Sequence, residues 1–214
     1  MRLIFAIALV SGSVALAQPP KDPDLPKEVE PRFGVSPKGK AYPQDSAKKA
    51  LYSTIEAIEK GDANYIVAHL LDPGFVELLV AERAKQYEAA AEIELSRLRD
   101  FQLRFPEKYP PSDRLPTDRA KFNALIIEKS RERGFKQLVQ DVQTKLLDDP
   151  LAVKDLQKLY RDGMVVDTET GAKITHADVK DRALYLRKIE DRWFLENRQE
   201  DIPAPVPPPK KEGM

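Results

Sequence analysis

The sequence contains no cysteine, and histidine occurs only twice, as His69 and His176. Without cysteine the chain can form no disulfide, no thiolate nucleophile and no cysteine-ligated zinc site. Two histidines are too few for a multi-histidine metal centre, and no spacing of carboxylates around them indicates a mixed site. The nine glycines form no Gly-x-Gly and no Gly-x-Ser-x-Gly motif, which argues against phosphate-binding loops and hydrolase elbows. We therefore expect neither a metal nor another cofactor.

The chain also lacks an excess of charge of either sign, because 35 Lys and Arg residues balance 35 Asp and Glu residues. General affinity for nucleic acids or anionic membranes requires a basic excess or a clear basic stripe. The balanced composition therefore predicts no nucleic-acid partner. A length of 214 residues suits one domain.

The first 17 residues have the pattern of a secretory signal peptide. Arg2 precedes an apolar run, and Ala15 and Ala17 form the small-x-small pattern of a signal peptidase site. The run is short and rich in small residues, which disfavours the alternative of an uncleaved membrane anchor. We predict cleavage after Ala17, so that the mature chain begins at Gln18. The protein is then exported to the periplasm or beyond, with no stable membrane anchor once the signal is removed.

Prolines are frequent, and they concentrate at the two ends of the mature chain. Residues 18–43 hold seven of the 18 prolines among Lys, Asp and Glu, and residues 201–214 hold five. Such segments bury too little apolar surface to become ordered. We predict a proline-rich disordered linker over residues 18–43 and a similar tail over residues 201–214. The tail is interpreted as a spacer, with a ligand for a proline-binding module as the alternative. A globular domain over residues 44–200 lies between these arms.

Apolar residues at helical spacing predict helices in the first part of this domain. The first helix follows an N-cap at Asp45 or Ser46, and a short second helix ends at Asp72-Pro73-Gly74. A third helix over residues 75–105 would extend roughly 46 Å if unbroken, so we expect it to bend or to project.

Two further helices precede the strands. A fourth begins at Thr117 or Asp118, and we expect Gly134 to interrupt it. Asp149 and Pro150 begin a short fifth helix, since proline suits the first helical position.

Alternating residues near the C-terminus predict strands. Short strands cover residues 164–166 and 173–175, and a hairpin over residues 182–198 turns at Glu190-Asp191. In this register one face is apolar and the other is half-exposed. The apolar face carries Leu184, Leu186, Trp193 and Leu195, and the other carries Tyr185, Arg187, Phe194 and Glu196. A helix is the alternative interpretation of the same segment. The predicted fold class is α+β, with N-terminal helices packed on a C-terminal antiparallel sheet.

Three segments together resemble the nuclear transport factor 2-like superfamily, a group of cystatin-like cones. They are the opening SAKKALYSTIEAIEKGDANYIVAHLLDP (residues 46–73), the long helix that follows, and the closing ALYLRKIEDRWFLEN (residues 183–197). The middle of the domain, residues 106–163, is covered poorly. The resemblance implies a cone in which helices pack on a curved antiparallel sheet, with extra helices inserted. Members include isomerases, dehydratases and many non-catalytic binding domains.

The resemblance also indicates candidate site residues. His69 and Asp72, three residues apart at a helix end, can form an acid–base pair in the cone pocket. The alternative is a surface or rim histidine beside a helix-ending aspartate. Tyr65, Tyr185 and Phe194 are candidates for lining a ligand pocket, although aromatic residues at such spacings more often form the core.

Three functions follow as hypotheses. The leading one is an exported, non-catalytic binding or scaffold domain for an unidentified protein or small ligand. The second is a small cofactor-free acid–base enzyme of the isomerase or dehydratase kind, centred on His69. The third is a helical scaffold in which residues 75–105 pair with another copy to form a homodimer.

Overall fold

A computed structural model of the chain describes residues 29–147, 149–179 and 183–198. The predicted signal peptide, with Ala15, Ala17 and Gln18, lies outside these residues, as does the tail over 201–214. The described part is α+β, with helices first and a four-stranded antiparallel sheet at the C-terminal end. This order confirms the predicted fold class.

The helices begin where polar side chains can cap them. Their bounds are α1 Ala47–Glu59, α2 Ala63–Tyr65, α3 Pro73–Arg104, α4 Arg119–Val142 and α5 Pro150–Asp162. Ser46, Asp72, Asp118 and Asp149 each accept a hydrogen bond from a backbone N–H of the first turn. The predicted second helix is a single α-turn that continues as a π-helical turn over Ile66–Leu70.

Helices α3 and α4 form a long antiparallel hairpin. Glu94 pairs with Lys129 at 2.7 Å, and Arg83 pairs with Asp141 at 2.6 Å. The prediction that Gly134 interrupts α4 is wrong, because the helix runs through it. A Cβ at Gly134 would lie 2.8 Å from the Val80 carbonyl oxygen, so glycine is there to let the two backbones approach.

The sheet is a meander in the order β1-β2-β3-β4. Its strands are β1 Met164–Asp167, β2 Gly171–Thr175, β3 Leu184–Ile189 and β4 Arg192–Glu196. The predicted hairpin register is confirmed, since Leu186 faces Leu195 and Lys188 faces Trp193. The helical alternative for this segment is therefore wrong. At the turn, Glu190 has a φ of 53°, whereas Asp191 does not enter the left-handed region.

The inner face of the sheet packs on α1 and α5 to make the principal core. Leu51 and Ile55 of α1 and Leu159 of α5 contact Ile174 and Trp193 of the sheet. The predicted apolar face is thus largely correct, with Leu184 partly buried and its three companions buried. The outer face is half-exposed as expected, since Tyr185 and Phe194 are buried, Arg187 is exposed and Glu196 is partly buried.

Residues 29–43 pack on the helices, so the prediction of a disordered linker is wrong for this part of the arm. Arg32 Nη1 donates a hydrogen bond to the Ala68 carbonyl at 2.7 Å, and the Phe33 ring stacks on Phe135 at 4.6 Å. Tyr42 is buried against Tyr65. The side chains of Arg32, Phe33 and Tyr42 therefore provide the contacts that the proline-rich composition does not suggest.

Candidate functional site

His69 lies on the π-helical turn and has no exposed surface. Its Nε2 donates to the Val35 carbonyl at 2.8 Å, because a carbonyl oxygen can only accept, and its ring packs on Tyr65. Nδ1 is then a buried acceptor that has no hydrogen-bond partner among the described residues. Burial lowers the pKa of His69, and the nearby guanidinium groups of Arg192 and Arg32 lower it further.

The carboxylate of Asp72 caps helix α3. It accepts from the backbone N–H groups of Gly74 at 2.7 Å and Phe75 at 3.1 Å, and it lies 3.3 Å from Arg187. Within the described residues, no hydrogen bond joins the Asp72 and His69 side chains. The structure therefore does not assemble the predicted acid–base pair. The alternative of a surface or rim histidine is also wrong, since His69 is buried in a packed interior.

Gln44 organises the polar groups around His69, a role that its position in the sequence does not predict. Its Nε2 donates to the carbonyls of His69 at 2.9 Å and Trp193 at 2.8 Å, while its Oε1 accepts from Arg192. The backbone carbonyl of Gln44 accepts from the Trp193 N–H at 2.9 Å. This network ties strand β4 to the π-helical turn and has a structural role. No sequence signal marks it, because a lone glutamine after a proline-rich segment is ordinary.

The outer face of the sheet carries a cleft of about 720 Å³. Tyr185 of β3 lies in it, with Arg198 at 5.2 Å and Lys173 at 5.6 Å from the ring centroid. Its remaining polar side chains come from the interior of β3, from the end of β4 and from the β1–β2 turn. They are Thr168, Thr170, Arg187 and Glu196.

The residues that line the cleft include three cations, Lys173, Arg187 and Arg198, and one carboxylate, Glu196. Glu196 pairs with Arg198 at 3.0 Å, and the Asp72 carboxylate lies 3.3 Å from Arg187. The Arg187 side chain is 57% exposed, so its guanidinium is accessible to a ligand. An accessible guanidinium can bind an anionic group through paired hydrogen bonds.

The three aromatic candidates have different environments. Tyr185 lines the cleft, as the ligand-pocket hypothesis requires. Phe194 is buried on the same face under Arg192, whose guanidinium carbon is 5.0 Å from the ring centroid, and it is not among the residues lining the cleft. Tyr65 is fully buried in the core beside Tyr42. Lys173 and Arg198 were missed, although strand alternation already placed Arg187 on this face.

A second cleft, of about 830 Å³, lies between α4 and the N-terminal segment. Both cations of its lining are paired with one carboxylate, since Glu77 contacts Arg131 at 2.5 Å and Arg32 at 3.5 Å. Phe33 and Phe135 form an apolar wall. Its lining carries three carboxylates, Glu77, Glu128 and Glu132, against two cations, so it suits an anionic ligand less well than the sheet cleft does.

Across the described part of the chain, no three His, Asp or Glu side chains converge as metal ligands. None of the described helices has both the length and the apolar character needed to cross a membrane. Comparison with protein families, with characterised proteins and with solved structures finds no match to this chain.

Proposed function

We propose that this protein is an exported, non-catalytic binding domain whose ligand site is the cleft on the outer face of the sheet. The observation that carries the proposal is the arrangement of Tyr185 with Lys173, Arg187 and Arg198 around a cleft of about 720 Å³. Ligand sites of this size typically combine an apolar surface with a few polar groups that fix orientation.

The chemistry of the cleft favours a small anionic ligand. Guanidinium groups bind carboxylates, sulfates and phosphates through paired hydrogen bonds. The Tyr185 ring is buried beneath Lys173 and Arg198, so it supports these two cations and does not itself present a surface to the ligand. The ligand class is therefore a small molecule that bears a carboxylate, sulfate or phosphate.

Export and superfamily membership are parts of the same proposal. Export rests on the charged start, apolar run and small-x-small site of residues 1–17. Membership of the nuclear transport factor 2-like superfamily rests on residues 46–73, the long helix and residues 183–197. The helices-then-sheet order is compatible with it, but fold alone does not choose a function.

The acid–base enzyme receives no support from His69, which lacks exposed surface and donates to a backbone carbonyl. The self-associating scaffold is the second candidate, because α3 exposes Leu78 and Ile93 along its length.

A binding screen with matched probes tests the proposed ligand site. Aromatic carboxylates, sulfates and phosphates are titrated into the protein by calorimetry, each beside its neutral amide or alcohol. We expect binding of charged probes alone, and loss of that binding in the double variant Lys173→Gln, Arg187→Gln. Lys188→Gln, which removes a cation from the same strand outside the cleft, is the control. Equal binding by the double variant, or no binding by any charged probe, refutes the proposal.

A further inference from the structure

The α3–α4 hairpin projects away from the rest of the domain. All residues of α3 and α4 in the three hydrophobic clusters come from the near end, up to Val80 in α3 and from Phe135 onward in α4. From Ala84 to Arg104 helix α3 extends about 30 Å at 1.5 Å per residue. The far end, residues 97–121, is called the tip below.

The tip exposes a continuous apolar patch. Leu98, Phe101 and Phe105 follow one another at spacings of three and four residues, which places them on one side of α3. They are 40%, 44% and 36% exposed. Phe101 also contacts Tyr109 of the following loop, with ring centroids 6.0 Å apart.

The loop that closes the tip is held in place. Gln102 is buried, and its amide donates to the Asp113 carbonyl at 3.2 Å and accepts from the Leu115 N–H at 2.8 Å. Arg114 donates to the carbonyls of Tyr109 at 2.8 Å and Pro106 at 3.1 Å. The loop beside the exposed rings is therefore held in one conformation by these hydrogen bonds.

The tip is basic although the whole chain is neutral. It contains seven Lys and Arg residues against four Asp and Glu residues. Two of these cations lie over aromatic rings: Lys108 is 5.2 Å from the exposed ring of Phe105, and Arg99 is 4.3 Å from the buried ring of Phe122, just beyond the tip. Exposed aromatic rings with interspersed cations are typical of surfaces that sit at a membrane interface.

We propose that this tip docks on the surface of a lipid bilayer that contains anionic headgroups. Phe101, Phe105 and Tyr109 would enter the interfacial region, and the surrounding Lys and Arg would contact the headgroups. A second copy is the less favoured occupant, because two tips of the same sign repel each other. The proposal is independent of the ligand cleft, which lies on the sheet.

A site-specific probe tests the docking in the full-length protein. Because the natural chain has no cysteine, Glu107→Cys provides a single labelling site at the tip, and Leu78→Cys provides one near the base of the same helix. An environment-sensitive fluorophore is attached at each position. With vesicles of phosphatidylglycerol and phosphatidylcholine, we expect a blue shift at position 107 and none at position 78. Vesicles of phosphatidylcholine alone should give a much smaller shift.

Second variants, made in the Glu107→Cys protein, identify the groups responsible. Lys108→Glu should weaken vesicle binding by at least about fivefold, the effect of one basic residue at an anionic surface. Phe101→Ser with Phe105→Ser should abolish the blue shift, whereas Ile93→Ser, an exposed apolar residue of the same helix, should not change it.

Two outcomes would overturn the proposal. One is a probe at position 107 that responds no more than the probe at position 78. The other is an oligomeric state, measured by light scattering, that changes in the Phe101 and Phe105 variant while vesicle binding does not. That result would assign the patch to a second copy of the chain.

Discussion

The imidazole of His69 is enclosed by Tyr65, the Val35 carbonyl and the backbone held by Gln44. The two charged groups that shift its pKa, Arg32 and Arg192, are both positive. A proton added at Nδ1 would therefore be a buried charge among like charges. At the residue scale, His69 therefore acts on the stability of the folded protein.

This environment predicts a dependence of stability on pH. The folded-state pKa of His69 lies below 6.5, so the unfolded chain takes up the proton first as the pH falls. The contribution of neutral His69 to the free energy of unfolding is fully present above about pH 6.5. It declines as the pH falls further, until the pH passes the folded-state pKa. In His69→Gln, which cannot titrate but can donate to Val35, the free energy of unfolding should vary less between about pH 7.5 and 5.5.

Urea unfolding at several pH values measures this difference. His176→Gln is the control, because His176 lies in the β2–β3 connection and its Nδ1 accepts from the Asp178 N–H. A His69→Gln protein with the same pH dependence as the natural chain would assign the acid sensitivity to other groups.

At the scale of elements, α3 and α4 come together through small residues. The buried residues between the two helices are small: Ala84, Ala91, Ser130 and Gly134. The Ser130 hydroxyl donates a hydrogen bond to the Ile126 carbonyl at 2.6 Å. Small side chains let helix backbones approach, while ion pairs such as Glu94–Lys129 flank the contact. The hairpin is therefore stabilised by close packing with a charged rim.

Gly134→Ala should destabilise the protein. The added methyl group would lie 2.8 Å from the Val80 carbonyl oxygen and 3.1 Å from the Ala84 nitrogen, and backbone atoms cannot rotate aside. Overpacking costs about 1–3 kcal/mol, against a gain of up to about 1 kcal/mol in helix propensity. We expect a net loss of about 1 kcal/mol in the free energy of unfolding.

The control for this substitution is Gly39→Ala. Nothing lies within 4 Å of a Cβ at Gly39, so the change should alter stability by less than about 0.5 kcal/mol. An unchanged or raised stability of Gly134→Ala would show that α3 can shift to admit the methyl group.

A second prediction at this scale concerns the β3–β4 turn. Positive φ at the first central residue alone is the pattern of a type II′ turn, which favours glycine there. Glu190→Gly should stabilise the protein by about 0.5–1 kcal/mol, since a non-glycine residue in this region costs about 1–2 kcal/mol. Thermal unfolding measures the change. Asp191→Gly should give no such gain, and a gain of equal size there would argue against the assigned turn.

At the scale of the molecule, residues 29–43 belong to the folded domain. Phe33 adopts a φ of 52°, uncommon for a bulky residue, and its ring is held on Phe135. Tyr42 is 3% exposed, and Arg32 binds the Ala68 carbonyl. A tight turn and two aromatic anchors thus join this segment to the helices.

A chain that begins at Gln44 should consequently be much less stable than one that begins at Val29. Removal of a buried aromatic side chain alone costs about 3–5 kcal/mol, and the shortened chain loses Tyr42 together with the Phe33 stack. Urea unfolding of the two chains makes the comparison. Equal urea midpoints of the two chains would mean that residues 29–43 contribute nothing to the stability of the domain.

Local sequence was enough to predict most elements. The caps at Ser46, Asp118 and Asp149 and the pairing of Leu186 with Leu195 depend on near neighbours and on periodicity. For Gly134 local reasoning failed, because the distance to Val80 is a property of two helices. The candidate site was half predicted: alternation placed Tyr185 and Arg187 on one face, but Lys173 and Arg198 joined them only through the sheet register and the chain after β4.

By itself the sequence determined the order of helices and strands, the ends of most helices and the register of the closing hairpin, since these follow from side-chain periodicity and capping. Only the tertiary structure decided that His69 is buried and that residues 29–43 are ordered. It also decided that a neutral chain has a basic, aromatic tip. Burial, close approach and local charge each depend on which distant residues meet, and the composition of a segment does not contain that information.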